Sequence, residues 1–198
     1  LVVIRRNNLE IVSPPDHWKS CPVLSVLPVP DGALWIGTEG AGLYRYQDGN
    51  WTNFNSAQGI INPYIWSVAA DPNGTIWAGS WGGGIYAQKG GAFDFGPGLD
   101  NFLSPAPALS FLDDELWIGT PWGAIRYQNA RLERFSELDG EPFGDVRVIA
   151  RDKSGELWFG TAGSGLVRCK EGKFVRFKKS SGLSSDFIEC LYSADDGA

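Results

Sequence analysis

A single histidine, His17, and three cysteines, Cys21, Cys169 and Cys190, are the strongest nucleophiles and metal ligands in this 198-residue chain. The cysteines show no CxxC spacing, and no His/Asp/Glu cluster falls at ligand spacing, which argues against a zinc centre or an acid–base hydrolase. An odd thiol count allows at most one bridge inside the chain, and Cys169 and Cys190 read as small buried hydrophobes of strands. Neither G-x-S-x-G nor a phosphate loop occurs. Residues 81–84 (Trp-Gly-Gly-Gly) form a β-turn with no helix behind it, a poor cradle for a phosphate. No cofactor is expected. The formal net charge of −6 works against nucleic acid or an anionic membrane as the main partner.

Aromatic surface is what the chain has in quantity, with nine Trp, eleven Phe and six Tyr. Stacking on the flat face of a sugar or another ring is the chemistry such residues offer. Most of them fall into a repeat. The segments Leu34–Thr38 (LWIGT), Ile76–Ser80 (IWAGS), 116–120 (LWIGT) and Leu157–Thr161 (LWFGT) place Trp35, Trp77, Trp117 and Trp158 at intervals of 42, 40 and 41 residues.

Each repeat reads as four short strands. In the first, Val23–Pro28 is followed by an Asp31-Gly32 turn, Leu34–Thr38, a Gly-rich turn at 39–42, Leu43–Gln47 and a strand at 51–54. The third repeat is shorter, with Asp113-Asp114 replacing a longer loop. No 3.6-residue apolar period persists, so no helix is expected. A small antiparallel sheet cannot bury both faces alone, whereas sheets stacked around an axis can. The expected fold is therefore an all-β propeller of four-stranded blades of about 41 residues.

Full blades are expected at residues 23–54, 64–95, 106–135 and 146–177, with partial blades at 1–12 and 187–198. A five-blade ring closed from these ends would lack its LWIGT strand and leave ladders unpaired. The expectation is a segment of a larger ring, for example a seven-bladed one. A β-sandwich or solenoid is the alternative fold.

The repeated residues read as scaffold. Trp35, Trp77, Trp117 and Trp158 should pack between blades. Gly37, Gly79, Gly119 and Gly160 should mark close approach of the facing sheet. Thr38, Ser80, Thr120 and Thr161 should tie the following turn.

The phrase D-G-x-L-W-I-G-T-x-x-G-G-L-x-R-Y, carried nearly whole by residues 31–46 and with substitutions by 73–86, 115–127 and 155–168, resembles the two-component regulator propeller repeat. The connectors Gly59-Ile60 and Gly182-Leu183 add to the resemblance. It implies a periplasmic or extracellular sensor propeller whose parent is membrane-anchored ahead of a histidine kinase or diguanylate cyclase. Many members of that family sense oligosaccharides. The streptogramin lyase family has related repeats, but no counterpart of its catalytic histidines is found here.

Residues outside the repeat are the place to look for a ligand. The turns between second and third strands and the connectors between blades share one face of a propeller. They bring Trp81, Trp122 and Trp18, with Tyr64, Trp66 and Arg147 where connectors run into first strands. These six are the candidate ligand contacts, with loop-stabilising roles as the alternative for each. His17, Asn62, Asp100, Asn101, Glu141 and Asp145 lie on the same connectors. The basic residues Arg168, Lys170, Lys173, Arg176, Lys178 and Lys179 read as a solvated edge, or as a surface for an acidic partner. Three functions follow: a sensor of a small molecule or oligosaccharide, a protein-interaction or homodimerisation scaffold, and, least supported, a propeller lyase or hydrolase.

Overall fold

The computed structural model describes residues 2–5, 8–15, 18 and 20–193. His17, Leu1 and residues 194–198, the end of the second partial blade, lie outside the described residues.

Four antiparallel sheets follow one another along the chain. Blade 1 comprises β3 (Val23–Pro28), β4 (Leu34–Thr38), β5 (Leu43–Gln47) and β6 (Asn50–Phe54), after a hairpin of β1 (Val2–Arg5) and β2 (Asn8–Ile11). Blade 2 comprises β7 (Ile65–Ala70), β8 (Ile76–Ser80), β9 (Ile85–Lys89) and β10 (Ala92–Phe95). Blade 3 is β11 (Ala108–Leu112), β12 (Glu115–Thr120), β13 (Gly123–Gln128) and β14 (Arg131–Phe135). A small hairpin, β15 (Glu137–Leu138) with β16 (Glu141–Pro142), sits in the next connector. Blade 4 is β17 (Val146–Arg151), β18 (Leu157–Thr161), β19 (Leu166–Lys170) and β20 (Lys173–Phe177). In each blade neighbours in sequence are neighbours in the sheet, and the first strands β3, β7, β11 and β17 adjoin in turn. This is a β-propeller arrangement.

The core lies between blades. Trp35 packs with Phe54 of its own blade and Phe93 of blade 2, and Trp77 meets Phe111 and Tyr127 of blade 3. Trp117 in turn meets Phe159 and Phe174 of blade 4. The glycine two residues on admits the next first strand. A Cβ on Gly79 would stand 2.7 Å from the Ala106 carbonyl oxygen, and one on Gly119 2.9 Å from that of Val146. No side chain fits there without moving a strand. Thr38 Oγ1, Thr120 Oγ1 and Thr161 Oγ1 donate to the carbonyls of Gly42, Gly123 and Gly165 at 2.7, 2.9 and 2.6 Å, and Ser80 Oγ to that of Gly84 at 3.0 Å, closing the upper turns.

Two sequence expectations are corrected. Among the described residues, connectors contain single 3₁₀ turns such as Ser56–Gln58 and Lys179–Ser181, too short to carry a helical apolar period. The first is capped by Asn55, whose Oδ1 accepts from the Ala57 N–H at 3.0 Å. Cys190 is exposed rather than buried: after the Ala162–Phe187 bridge, residues 188–193 join no described sheet that could cover it. Cys169 is buried in blade 4, and both thiols are free. The basic cluster is a solvent-facing edge as expected, none of its residues being buried, and several of its charges are paired. Arg176 donates to the Ser164 and Pro142 carbonyls, Lys178 pairs with Glu141, and Lys170 and Arg168 flank Glu156.

Candidate functional site

The upper turns and connectors define one face, and a backbone irregularity recurs beneath it. In blades 1, 2 and 4 the ladder between first and second strands skips one residue: Leu24, Trp66 and Arg147. Each is a β-bulge, which frees the residue from pairing and re-aims its side chain. The three bulges carry an aliphatic, an aromatic and a cationic group on otherwise equivalent backbone.

Trp66 uses this freedom to stack on Trp81, with centroids 4.5 Å apart and planes inclined by 28°. Trp81 is fixed on both sides of its Cα. Its N–H donates to the Tyr64 carbonyl at 2.9 Å, and its carbonyl accepts from Asn62 Nδ2 at 2.7 Å. Asn62 Oδ1 also accepts from the Tyr64 N–H at 3.0 Å, and the Asn62 N–H donates to the Tyr86 hydroxyl at 3.0 Å. One asparagine therefore holds both aromatic loops. Trp81 remains 38% exposed and Tyr64 47% exposed, so the platform is open to solvent.

In blade 4, Arg147 pairs with Asp145 at 2.5 Å, both half-buried. Six buried side-chain polar atoms among the described residues have no hydrogen-bond partner, and three of them are Trp66 Nε1, Arg147 Nε and Asp145 Oδ1. Buried polar atoms are ordinarily satisfied. All three belong to bulge residues or to the ion pair beside one.

Trp122, 66% exposed, stands apart from that platform. With exposed Leu103 it borders a cleft of about 370 Å³ between the 96–105 connector and blade 3, whose polar lining includes Asn101, Ser104 and Arg134. Leu103 escapes sequence inspection because nothing in its local pattern says that it will be uncovered.

Trp18 is corrected outright as a ligand contact. It is 4% exposed, stacks on Tyr44 at 4.7 Å, and donates its indole N–H to the Cys21 carbonyl at 2.7 Å. It plugs the space beside blade 1, as Ile60, wholly buried, plugs the space between blades 1 and 2. The signal was present in the sequence: Trp18 precedes Val23 by five positions, as Ile60 precedes Ile65 and Leu183 precedes Ile188.

Sequence and structure comparisons agree with this architecture. Residues 59–82 and 140–163 match the two component regulator propeller family. No curated protein matches the chain in sequence. Among solved structures, it is similar to the extracellular domain of BT3049 from B. thetaiotaomicron, assigned as a hybrid two component system, with 23% identity over 89% of this chain and 25% of that one and a TM-score of 0.74. The extracellular domain of BT4673 from the same organism, also assigned as a hybrid two component system, gives 23% identity over 80% and 21% of the two chains and a TM-score of 0.67. A streptogramin B lyase gives 18% identity over 89% and 60%, with a TM-score of 0.70. At these identities the likeness establishes the propeller fold alone. The chain spans about a quarter of the length of the first of these. Among the described residues no His, Cys, Asp and Glu group could hold a metal ion, and no helix is long and apolar enough to cross a membrane.

Proposed function

We propose that this chain is part of a larger propeller ring that senses a ligand on the outer side of a membrane, in a membrane-anchored two-component signalling protein. The ligand is a small molecule or oligosaccharide that lays an apolar face on the Trp81–Trp66 platform beside Tyr64. Its polar groups reach Arg147 and Asp145, and Trp122 offers a second stacking surface over the adjacent cleft. The observation that carries this reading is the Trp66–Trp81 stack, fixed through Asn62 yet open to solvent. A ring held in place before binding loses little conformational entropy when the ligand arrives. The repeat and the extracellular neighbours support the signalling context, and a sensing role assigns no catalysis to this segment.

A glycan array tests the proposal. Binding by the wild type, reduced about tenfold or more in Trp81→Ala with the fold intact, supports it. Silence on every ligand class, or equal signals for wild type and Trp81→Ala, overturns it. A second reading, a protein-interaction or homodimerisation surface, is favoured by Ile61, Leu103, Trp122 and Phe187, all exposed on connectors or upper turns. Concentration-dependent mass that Trp122→Ala abolishes, without any ligand response, would select it.

A further inference from the structure

The lower ends of the blades differ in a way that the upper platform does not explain. In blades 2 and 4 the repeated indole N–H has a carboxylate partner: Trp77 Nε1 donates to Asp71 at 3.4 Å and Trp158 Nε1 to Asp152 at 2.7 Å. Blade 3 has no such acid. Ala70 pairs with Ile76, Arg151 with Leu157 and Phe111 with Leu116, so Leu112 stands where Asp71 and Asp152 stand. Its hairpin is cut to the two-residue turn Asp113-Asp114. Trp117, only 3% exposed, is left with a buried Nε1–H that has no partner.

That indole borders a cleft of about 460 Å³ between the lower halves of blades 3 and 4. The volume lies in the range of small-molecule sites. Its floor is apolar, formed by Leu112, Phe135, Leu157 and Phe174 together with Trp117. Its rim carries Glu115, Glu133, Glu156 and Glu171 against Arg126 and Lys170. Arg126 is shared between Glu115 at 3.3 Å and Glu133 at 2.5 Å, and Lys170 lies 2.6 Å from Glu156. Even counting Arg168, 3.7 Å from Glu156, the carboxylates outnumber the cations by four to three.

We propose that this cleft binds a small organic ammonium ion that also carries a hydrogen-bond acceptor. The ammonium sits among the rim carboxylates, favoured further by the aromatic faces of the floor. The apolar body covers Leu157 and Phe174. The acceptor takes the Trp117 N–H, with Leu112 rotating to uncover the indole edge. Neither an anion nor a plain hydrocarbon satisfies the rim and the orphaned donor together.

Calorimetric titration in mildly acidic buffer tests the proposal with three probes: L-phenylalaninamide, 3-phenylpropanamide, which lacks the ammonium, and phenethylamine, which lacks the carbonyl. L-Phenylalaninamide is expected to bind at least about tenfold more tightly than either control. In Trp117→Phe its affinity should fall to that of phenethylamine, and exposed Glu171→Gln should weaken both amines. Trp81→Ala, on the opposite face, should change nothing, which separates this site from the upper platform. Equal binding of the three probes, no saturable binding of L-phenylalaninamide, or undiminished binding to a folded Trp117→Phe overturns the proposal.

Discussion

Blades 2 and 3 are neighbours with the same strand order, and they differ at both ends. At the upper end, blade 2 stacks Trp66 on Trp81 and locks the pair through Asn62, whereas blade 3 presents Trp122 alone and largely exposed. At the lower end, blade 2 ties Trp77 to Asp71, whereas blade 3 leaves the Trp117 N–H buried and unpartnered, its indole bordering a cleft. Between the ends the two are alike: a buried indole, a glycine pressed against the next blade, and a hydroxyl closing the turn. The middle of a blade is held by neighbours on both faces, so few residues fit. The ends meet solvent, so the sequence there is free to change and to acquire function.

The largest effect expected is common to both blades. Trp77→Ala and Trp117→Ala should each cost about 3–5 kcal/mol in urea unfolding, because each empties a space shared with the next sheet. If one of them costs under about 1 kcal/mol, the equivalence of the two blade cores fails. Gly79→Ala and Gly119→Ala should follow at about 1–3 kcal/mol, since a methyl at either position overlaps the adjoining strand.

The lower ends should then separate the blades. Trp158→Phe should cost about 1 kcal/mol more than Trp117→Phe, because both shrink the ring but only the first breaks a hydrogen bond, that of the Trp158 N–H to Asp152. Comparable losses for the two variants would remove the distinction. Acid should act on the same tie. The Ser154 hydroxyl and then the Trp158 indole hold the Asp152 carboxyl down to about 2 from the ordinary 3.8. A lowered folded value means that the contribution is complete above about 3.8 and is lost as pH falls toward 2. Melting curves of the wild type and Asp152→Asn should therefore converge over that interval. Smallest of all, Trp122→Ala should shift stability by no more than about 0.5 kcal/mol, any effect appearing in binding.

The blade period, the four-strand rhythm and the interblade role of Trp35, Trp77 and Trp117 were legible because they depend on residues close in sequence and on a pattern written several times. Trp81 and Trp122 could be recognised as departures from that pattern. Trp18 misled, because an aromatic in a polar connector looks exposed until the five-residue offset to the first strand is compared with that of Ile60. Cys190 misled in the opposite direction, an apolar context suggesting a strand that no described neighbour covers.

By itself, then, the sequence determined the repeated scaffold: hairpin register is a local property, and each copy of LWIGT carries the same instructions for turn, glycine contact and buried indole. Only the tertiary structure decided that Trp66 lies under Trp81, that Arg147 is drawn to Asp145, and that the Trp117 N–H faces no carboxylate. These arrangements bring together different strands, turns and connectors. Which polar atoms find partners there is settled by how neighbouring blades pack, a geometry that no single repeat encodes.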